Sequence, residues 1–182
     1  MKTMRIHDRL FELFITEEQI NKRITELSIQ IIKDYADKMP VFISVLNGSF
    51  IFTTEIVKRF PYNCEVDFIK VSSYVGISSS GNVSLIANSI KADLNNRYII
   101  ILEDIIDTGL TIKNLLNDLS KYSPKKISIA TLLFKPEVFK FNDKIKIDYI
   151  GFNIKNEFVV GYGLDYNGLG RNYLDIYKLK EI

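Results

Sequence analysis

The chain is predicted to fold as an α/β domain, with a central, mostly parallel sheet flanked by helices. Three observations predict it. Ile99-Ile100-Ile101-Leu102 is an apolar run too short for a helix and without a polar face, which suits a strand buried on both sides of a parallel sheet. Strand-like and helix-like segments alternate along most of the chain, the grammar of parallel α/β sheets. The length of 182 residues, with 47% hydrophobic and 25% charged residues, suits one globular domain with a substantial core.

Taken in order, residues 1–15 are mixed and leave strand and coil undecided. Thr16-Glu17-Glu18-Gln19 fits a capping box, a hydroxyl N-cap with Gln at the third helical position. Ile20, Ile24, Leu27, Ile31 and Tyr35 then fall on one face of a helix from about Glu17 to Asp37, and Pro40 closes the connection. Val41 to Leu46 reads as the first core strand, Asn47-Gly48-Ser49 as a turn, and Phe50 to Arg59 as a helix. Cys64 to Ser73 carries alternating apolar residues and reads as a strand. The serine- and glycine-rich stretch from Tyr74 to Gly81 is expected to be a flexible loop, and Val83 to Ala87 a short returning strand.

The run from Ile99 to Thr111 organises the rest. After the apolar strand come Glu103 and Asp104 at its C-terminal end, then the turn Asp107-Thr108-Gly109-Leu110-Thr111. A helical series follows at Ile112, Leu115, Leu116, Leu119 and Tyr122. Ligands of open α/β sheets bind at strand C-termini, and a loop opening a helix presents N–H groups to a phosphate. Taken alone, Asp-Thr-Gly is equally a simple turn with a helix cap. Further strands are expected at Ile127 to Phe134, ending at Lys135-Pro136, and at Asp148 to Phe152. The tail from Asn156 is rich in aromatic residues and glycine, without helical periodicity. The two ends of the chain break the alternation and are expected to form a small second layer, a lid over the strand ends.

Composition excludes several function classes. Net charge is only +2, with both signs mixed along the chain, so nothing argues for a nucleic-acid or membrane partner. No segment has the apolar length of a membrane span, and Asp8 and Glu12 interrupt the region where a signal peptide would be apolar. Cys64 is the single cysteine, so no internal disulfide is possible and a reducing cytoplasm is the expected location. His7 is the only histidine, which argues against a His/Cys zinc site. A metal, if used, should be a hard cation on oxygen ligands.

The run Ile99-Ile-Ile-Leu-Glu-Asp-Ile-Ile-Asp-Thr-Gly-Leu-Thr111 resembles the 5-phosphoribosyl diphosphate (PRPP) signature of the type I phosphoribosyltransferases. Four further stretches are similar to the hypoxanthine-guanine branch of that family. They are Leu46-Asn47-Gly48-Ser49, Ser72-Ser73-Tyr74, Phe134-Lys135-Pro136, and Phe158 to Tyr166 followed by Arg171. They occur in the family's order and cover most of the chain. The resemblance implies the type I phosphoribosyltransferase fold in a single domain, with a hood from about residues 1–15 and 156–182. It implies transfer of phosphoribose from PRPP to a 6-oxopurine base, giving IMP or GMP and pyrophosphate, with Mg2+ as cofactor and assembly as a homodimer or homotetramer. A xanthine-preferring enzyme, and a non-catalytic regulator that senses PRPP or nucleotides on the same fold, stand as alternatives.

Residue roles follow from the same resemblance. Glu103 and Asp104 meet the ribose hydroxyls, and Asp107, Thr108, Gly109, Leu110 and Thr111 wrap the 5′-phosphate. Asn47, Gly48, Ser73, Tyr74 and Arg171 complete the PRPP site, Ser73 and Tyr74 on a closing loop. Asp107 is placed beside purine N7 as the catalytic acid–base group. Lys135 donates to the purine O6, Phe158 stacks on the base, and Val159 reads it through backbone groups. Asp165 belongs to the purine end and, with Glu103 and Asp104, is a magnesium ligand. Asn47 departs from the pattern, since many relatives carry lysine there. In the family the Leu–Lys peptide at that place can be cis, and the backbone role is carried over while the side-chain role is left open.

Overall fold

The computed structural model describes residues 2–70 and 90–180. In chain order the elements are β1 (Thr3–Ile6), β2 (Arg9–Ile15), α1 (Glu17–Tyr35), β3 (Val41–Leu46), α2 (Phe50–Lys58) and β4 (Glu65–Lys70). They continue with β5 (Tyr98–Ile106), α3 (Leu110–Ser120), β6 (Lys126–Phe134), β7 (Tyr149–Asn153), β8 (Val159–Val160) and β9 (Ile176–Leu179). Ser73, Tyr74, the loop to Gly81 and the strand expected at Val83 to Ala87 lie outside the described residues. No helix among the described residues is long and apolar enough to cross a membrane.

Strands β4-β3-β5-β6-β7 form a five-stranded sheet in that order, with every neighbouring pair parallel. Period-two alternation sends successive strand residues to opposite faces, and both faces are covered. Phe42, Ile100, Leu102, Ala130 and Leu132 pack with Ile20, Ile24, Leu27, Ile31, Phe52 and Ile56 of α1 and α2. Val41, Ile43, Val45, Ile99, Ile101 and Ile129 pack instead with Ile112, Leu115 and Leu119 of α3. Each such side chain, fully buried, contributes about 1.5–3 kcal/mol relative to exposure.

The α1 capping box is present: Gln19 N–H donates to Thr16 Oγ1 (3.3 Å) and Thr16 N–H to Gln19 Oε1 (2.9 Å). The helix ends at Tyr35, two residues before the expected boundary. Strand β5 differs more usefully from expectation. It continues past Leu102 to Ile106, so Glu103 and Asp104 lie within the strand. Its two neighbours explain this. Pairing with β3 stops at Ser44 opposite Leu102, whereas β6 accompanies β5 to Ile106 opposite Phe134. The second half of β5 is therefore open on its β3 side. That opening lies at the switch point, where the chain runs outward from β3 to β4 and then returns to β5 on β3's other side.

The chain ends build a separate four-stranded sheet, ordered β1-β2-β9-β8 and antiparallel throughout. Neither the β1–β2 hairpin nor β9 is apparent from local pattern, because Arg5, Glu12 and Lys178 interrupt the apolar alternation. What closes this sheet is a small core of Ile6, Phe11, Val160 and Tyr177, drawn from both ends of the chain.

Candidate active site

A cavity of about 470 Å³ opens at the C-terminal ends of β3 and β5. Its lining draws on every matched motif within the described residues: Asn47 and Gly48; Glu103, Asp104, Asp107 and Thr111; Lys135; and Phe158, Val159, Asp165 and Arg171. A second hollow of about 90 Å³ adjoins it, lined by Asp107, Thr108, Gly109, Leu110 and Thr111, and shares Glu103, Ile105, Asp107 and Thr111 with the first. The site residues named from the sequence thus converge on two adjoining spaces, apart from Ser73 and Tyr74, which lie outside the described residues.

The acidic wall is tightly built. Glu103 is buried and its Oε2 has no hydrogen-bond partner among the described residues. Burial, with the neighbouring Asp104 charge, holds its pKa well above the usual carboxyl range. Burial also pushes Asp104 up to about 6, against the opposing effect of the Ile105 N–H that donates to its Oδ1 at 2.9 Å. Asp104 packs directly on the turn after β3. A Cβ on Gly48 would lie 1.5 Å from Asp104 Oδ2, so only glycine leaves the carboxylate where it is. The peptide preceding this turn, Leu46–Asn47, is cis.

The loop from Asp107 leads into α3 through Gly109, whose φ of 81° lies in the left-handed region. A Cβ there would meet the Phe139 ring at 2.3 Å, so the turn is pressed against an aromatic wall. The helix start has no side-chain cap hydrogen bond. Its first-turn N–H groups are not consumed by a cap, which favours an anion site over the simple capped turn.

At the other end, Lys135 is buried and donates to Asp107 Oδ2 (3.1 Å) and Asn156 Oδ1 (3.2 Å). The Phe158 ring lines the cavity and is 41% exposed. The tail reaches the cavity through a glycine strap. A Cβ on Gly163 would lie 2.0 Å from the Gly48 carbonyl oxygen, so strap and turn are in backbone contact. Beyond it, Arg171 donates to the Gly163 carbonyl and pairs with Asp165 Oδ1, both at 2.6 Å, while Gly168 N–H donates to Asp165 Oδ2 at 2.7 Å.

Comparison with known proteins agrees with this geometry. The model of the phosphoribosyl transferase domain matches residues 15–167. The chain belongs to the phosphoribosyltransferase family. It is 41% identical to the hypoxanthine-guanine phosphoribosyltransferase of Streptococcus pneumoniae, over 93% of each chain. It is 38% identical to the hypoxanthine-guanine-xanthine phosphoribosyltransferase of Tritrichomonas foetus, over 96% of this chain and 94% of that one. The crystal structure of a hypoxanthine phosphoribosyltransferase from Staphylococcus aureus superposes with a TM-score of 0.84 at 38% identity, covering 93% of this chain and 91% of that one.

Two features of this phosphoribosyltransferase site are not apparent from motif matching. Asn156 is the second acceptor for Lys135, and Glu157 lines the cavity beside Phe158. The one signal for Asn156 is indirect: a buried ammonium needs acceptors, and Asn156 is a polar residue just before the aromatic tail.

Proposed function

We propose that this chain transfers the 5-phosphoribosyl group from PRPP to hypoxanthine and guanine, releasing pyrophosphate and forming IMP and GMP. The observation that carries the reading is the pairing of Lys135 Nζ with Asp107 Oδ2 at 3.1 Å across the cavity floor. A 6-oxopurine carries O6 and N7 side by side on one edge. A buried ammonium donor next to a carboxylate acceptor complements that edge, with Lys135 toward O6 and Asp107 toward N7. In the free enzyme the two groups satisfy each other, and the base takes up both.

The remaining residues divide the other work. Phe158 offers its ring to the base face, and Val159 its backbone groups. The Asp107–Thr111 loop and the uncapped α3 start hold the 5′-phosphate, and Glu103 and Asp104 orient the ribose. Asn47, Gly48 and Arg171 face the pyrophosphate, and Ser73 and Tyr74 join the PRPP site by family resemblance. Asp107 accepts or relays the proton that shifts as N9 attacks C1. The terminal sheet acts as a hood over the strand ends, within one phosphoribosyltransferase domain.

The residues fit magnesium. Among the described residues, the donors are carboxylate oxygens, Glu103 Oε2 lacks a hydrogen-bond partner, and the lining holds five acidic residues (Glu103, Asp104, Asp107, Glu157, Asp165) against Lys135 and Arg171. Among the described residues no cluster of three ligands could hold a metal alone, so Glu103, Asp104 and Asp165 would share it with substrate oxygens. When bound, magnesium supplies Lewis-acid stabilisation of the departing pyrophosphate. A homodimer or homotetramer in the cytoplasm is the setting that family resemblance supports. The test is a panel of hypoxanthine, guanine, xanthine and adenine with PRPP and magnesium, read as pyrophosphate release. Turnover with hypoxanthine and guanine is expected, and its absence with both would overturn the proposal.

A further inference from the structure

Phe158 poses a physical problem. It is 41% exposed, lines the cavity and sits on the residue before β8, so the sheet ladder does not by itself fix the ring. A loose aromatic platform loses rotamer freedom each time a base stacks on it. The ring is nevertheless contacted on several sides. Tyr166 meets it edge-on, with centroids 5.7 Å apart at 87°, and Phe11 tilts against it at 6.1 Å. The Arg9 guanidinium lies over both rings, 5.7 Å from the Phe158 centroid and 5.0 Å from that of Tyr166.

The β1–β2 hairpin supplies most of this support. Asp8, at its tip, accepts a hydrogen bond from Tyr166 Oη at 2.8 Å, and the His7 ring meets Tyr166 edge-on at 5.6 Å. Phe11 is fully buried in the terminal sheet core, so it is a fixed wall. Arg9 is exposed and does not line the cavity, so it reaches the base only through Phe158.

We infer that Arg9 is a positioning residue for base binding, holding the Phe158 ring in its stacking orientation through a cation–π contact shared with Tyr166. The inference rests on the platform role proposed for Phe158. It assigns the N-terminal hairpin a part in purine affinity, although Arg9 precedes the family match that begins at residue 15.

The test is steady-state kinetics of the full chain with magnesium, varying hypoxanthine at saturating PRPP and the reverse. Arg9→Met keeps length and apolar reach but removes the charge. It should raise KM for hypoxanthine about two- to fivefold, and leave KM for PRPP and kcat within about 1.5-fold. Arg9→Lys keeps a cation and should retain most of the affinity. In a Phe158→Ala background, Arg9→Met should add no further increase, because the ring it acts through is gone. An unchanged base KM in Arg9→Met, an equal rise in both KM values, or a full increment on top of Phe158→Ala would each overturn the inference. If Phe158→Ala itself leaves the base KM unaltered, the platform role fails and the inference falls with it. If Phe158→Ala raises that KM and Arg9→Met does not, the inference fails alone.

Discussion

Gly48→Ala separates function from stability at a single methyl group. The left-handed backbone positions include other glycines but not Gly48, so its conformation accepts alanine and only space forbids it. The new Cβ would stand 1.5 Å from Asp104 Oδ2 and 2.5 Å from its Cγ. Restoring an ordinary contact of about 3.5 Å moves that oxygen by roughly 2 Å. The group that yields is the end of a side chain, so the fold absorbs the change. An off-rotamer carboxylate costs about 0.5–1.5 kcal/mol, which at about 2–4 °C per kcal/mol lowers Tm by only a few degrees. Function has no such tolerance if Asp104 orients the ribose. A misplacement of about 1 Å can cost about 100-fold, so kcat/KM for PRPP should fall about 100-fold or more. Gly151→Ala is the contrast. There the Cβ would meet the Leu132 carbonyl oxygen at 2.3 Å, backbone of β6 that cannot swing aside. It should lose about 1–3 kcal/mol of stability with KM for PRPP unchanged. Thermal melts and PRPP titrations of both variants decide the matter. Full PRPP efficiency in Gly48→Ala would remove Asp104 from the ribose site.

Other outcomes follow from the same geometry. Lys135→Gln should weaken use of hypoxanthine and guanine and narrow their advantage over adenine, because an amide both donates and accepts; an unchanged kcat/KM ratio would refute Lys135 as the C6 reader. Asp107→Asn should cut the single-turnover rate by about 100-fold or more with little change in PRPP affinity, and an unchanged rate would take Asp107 off the catalytic list. Asp175 ties the terminal sheet to α1, accepting from Lys2 Nζ (2.7 Å), Glu17 N–H (2.9 Å) and Tyr177 Oη (3.0 Å). Those bonds, led by that of Lys2, hold its pKa below the usual carboxylate value. A depressed pKa stabilises the fold above the unfolded value of about 3.9, and that stability is lost as pH falls through the lower folded value. The Tm difference between wild type and Asp175→Asn should therefore be full at neutral pH and shrink below about pH 4, and a pH-independent difference would contradict it.

The parallel sheet was legible because its signals are local. Ile99 to Leu102, Val41 to Leu46 and Ile127 to Phe134 are runs whose burial on both faces shows in composition alone, and Thr16 and Gln19 mark the α1 start within four residues. The terminal sheet was not legible in detail because its pairing is remote. Phe11 finds Leu179, and Leu13 finds Tyr177, across almost the whole chain. The end of β5 escapes the local pattern for a related reason. Glu103 and Asp104 look like a strand terminus, but β6 extends the ladder beneath them.

The site residues were named through their motifs, whereas their interactions needed the fold. Lys135 reads as a solvated lysine at a strand end until Asp107 and Asn156 are seen beside it. Arg171 similarly turns out to be occupied, paired with Asp165 and with the Gly163 carbonyl. Among the described residues, both cations lining the cavity are thus paired internally, and the neutral Asn47 adds no third charge. A substrate rich in phosphate enters a space whose carboxylates outnumber its free positive charge. Oriented N–H groups at the start of α3 can hold one phosphate, but they do not reach the acidic wall of Glu103 and Asp104, where burial already disfavours the charged carboxylates. If PRPP binds as proposed, a hard divalent cation held with the help of Glu103, Asp104 and Asp165 would supply the missing charge, and Glu103 Oε2, without a hydrogen-bond partner among the described residues, fits that role.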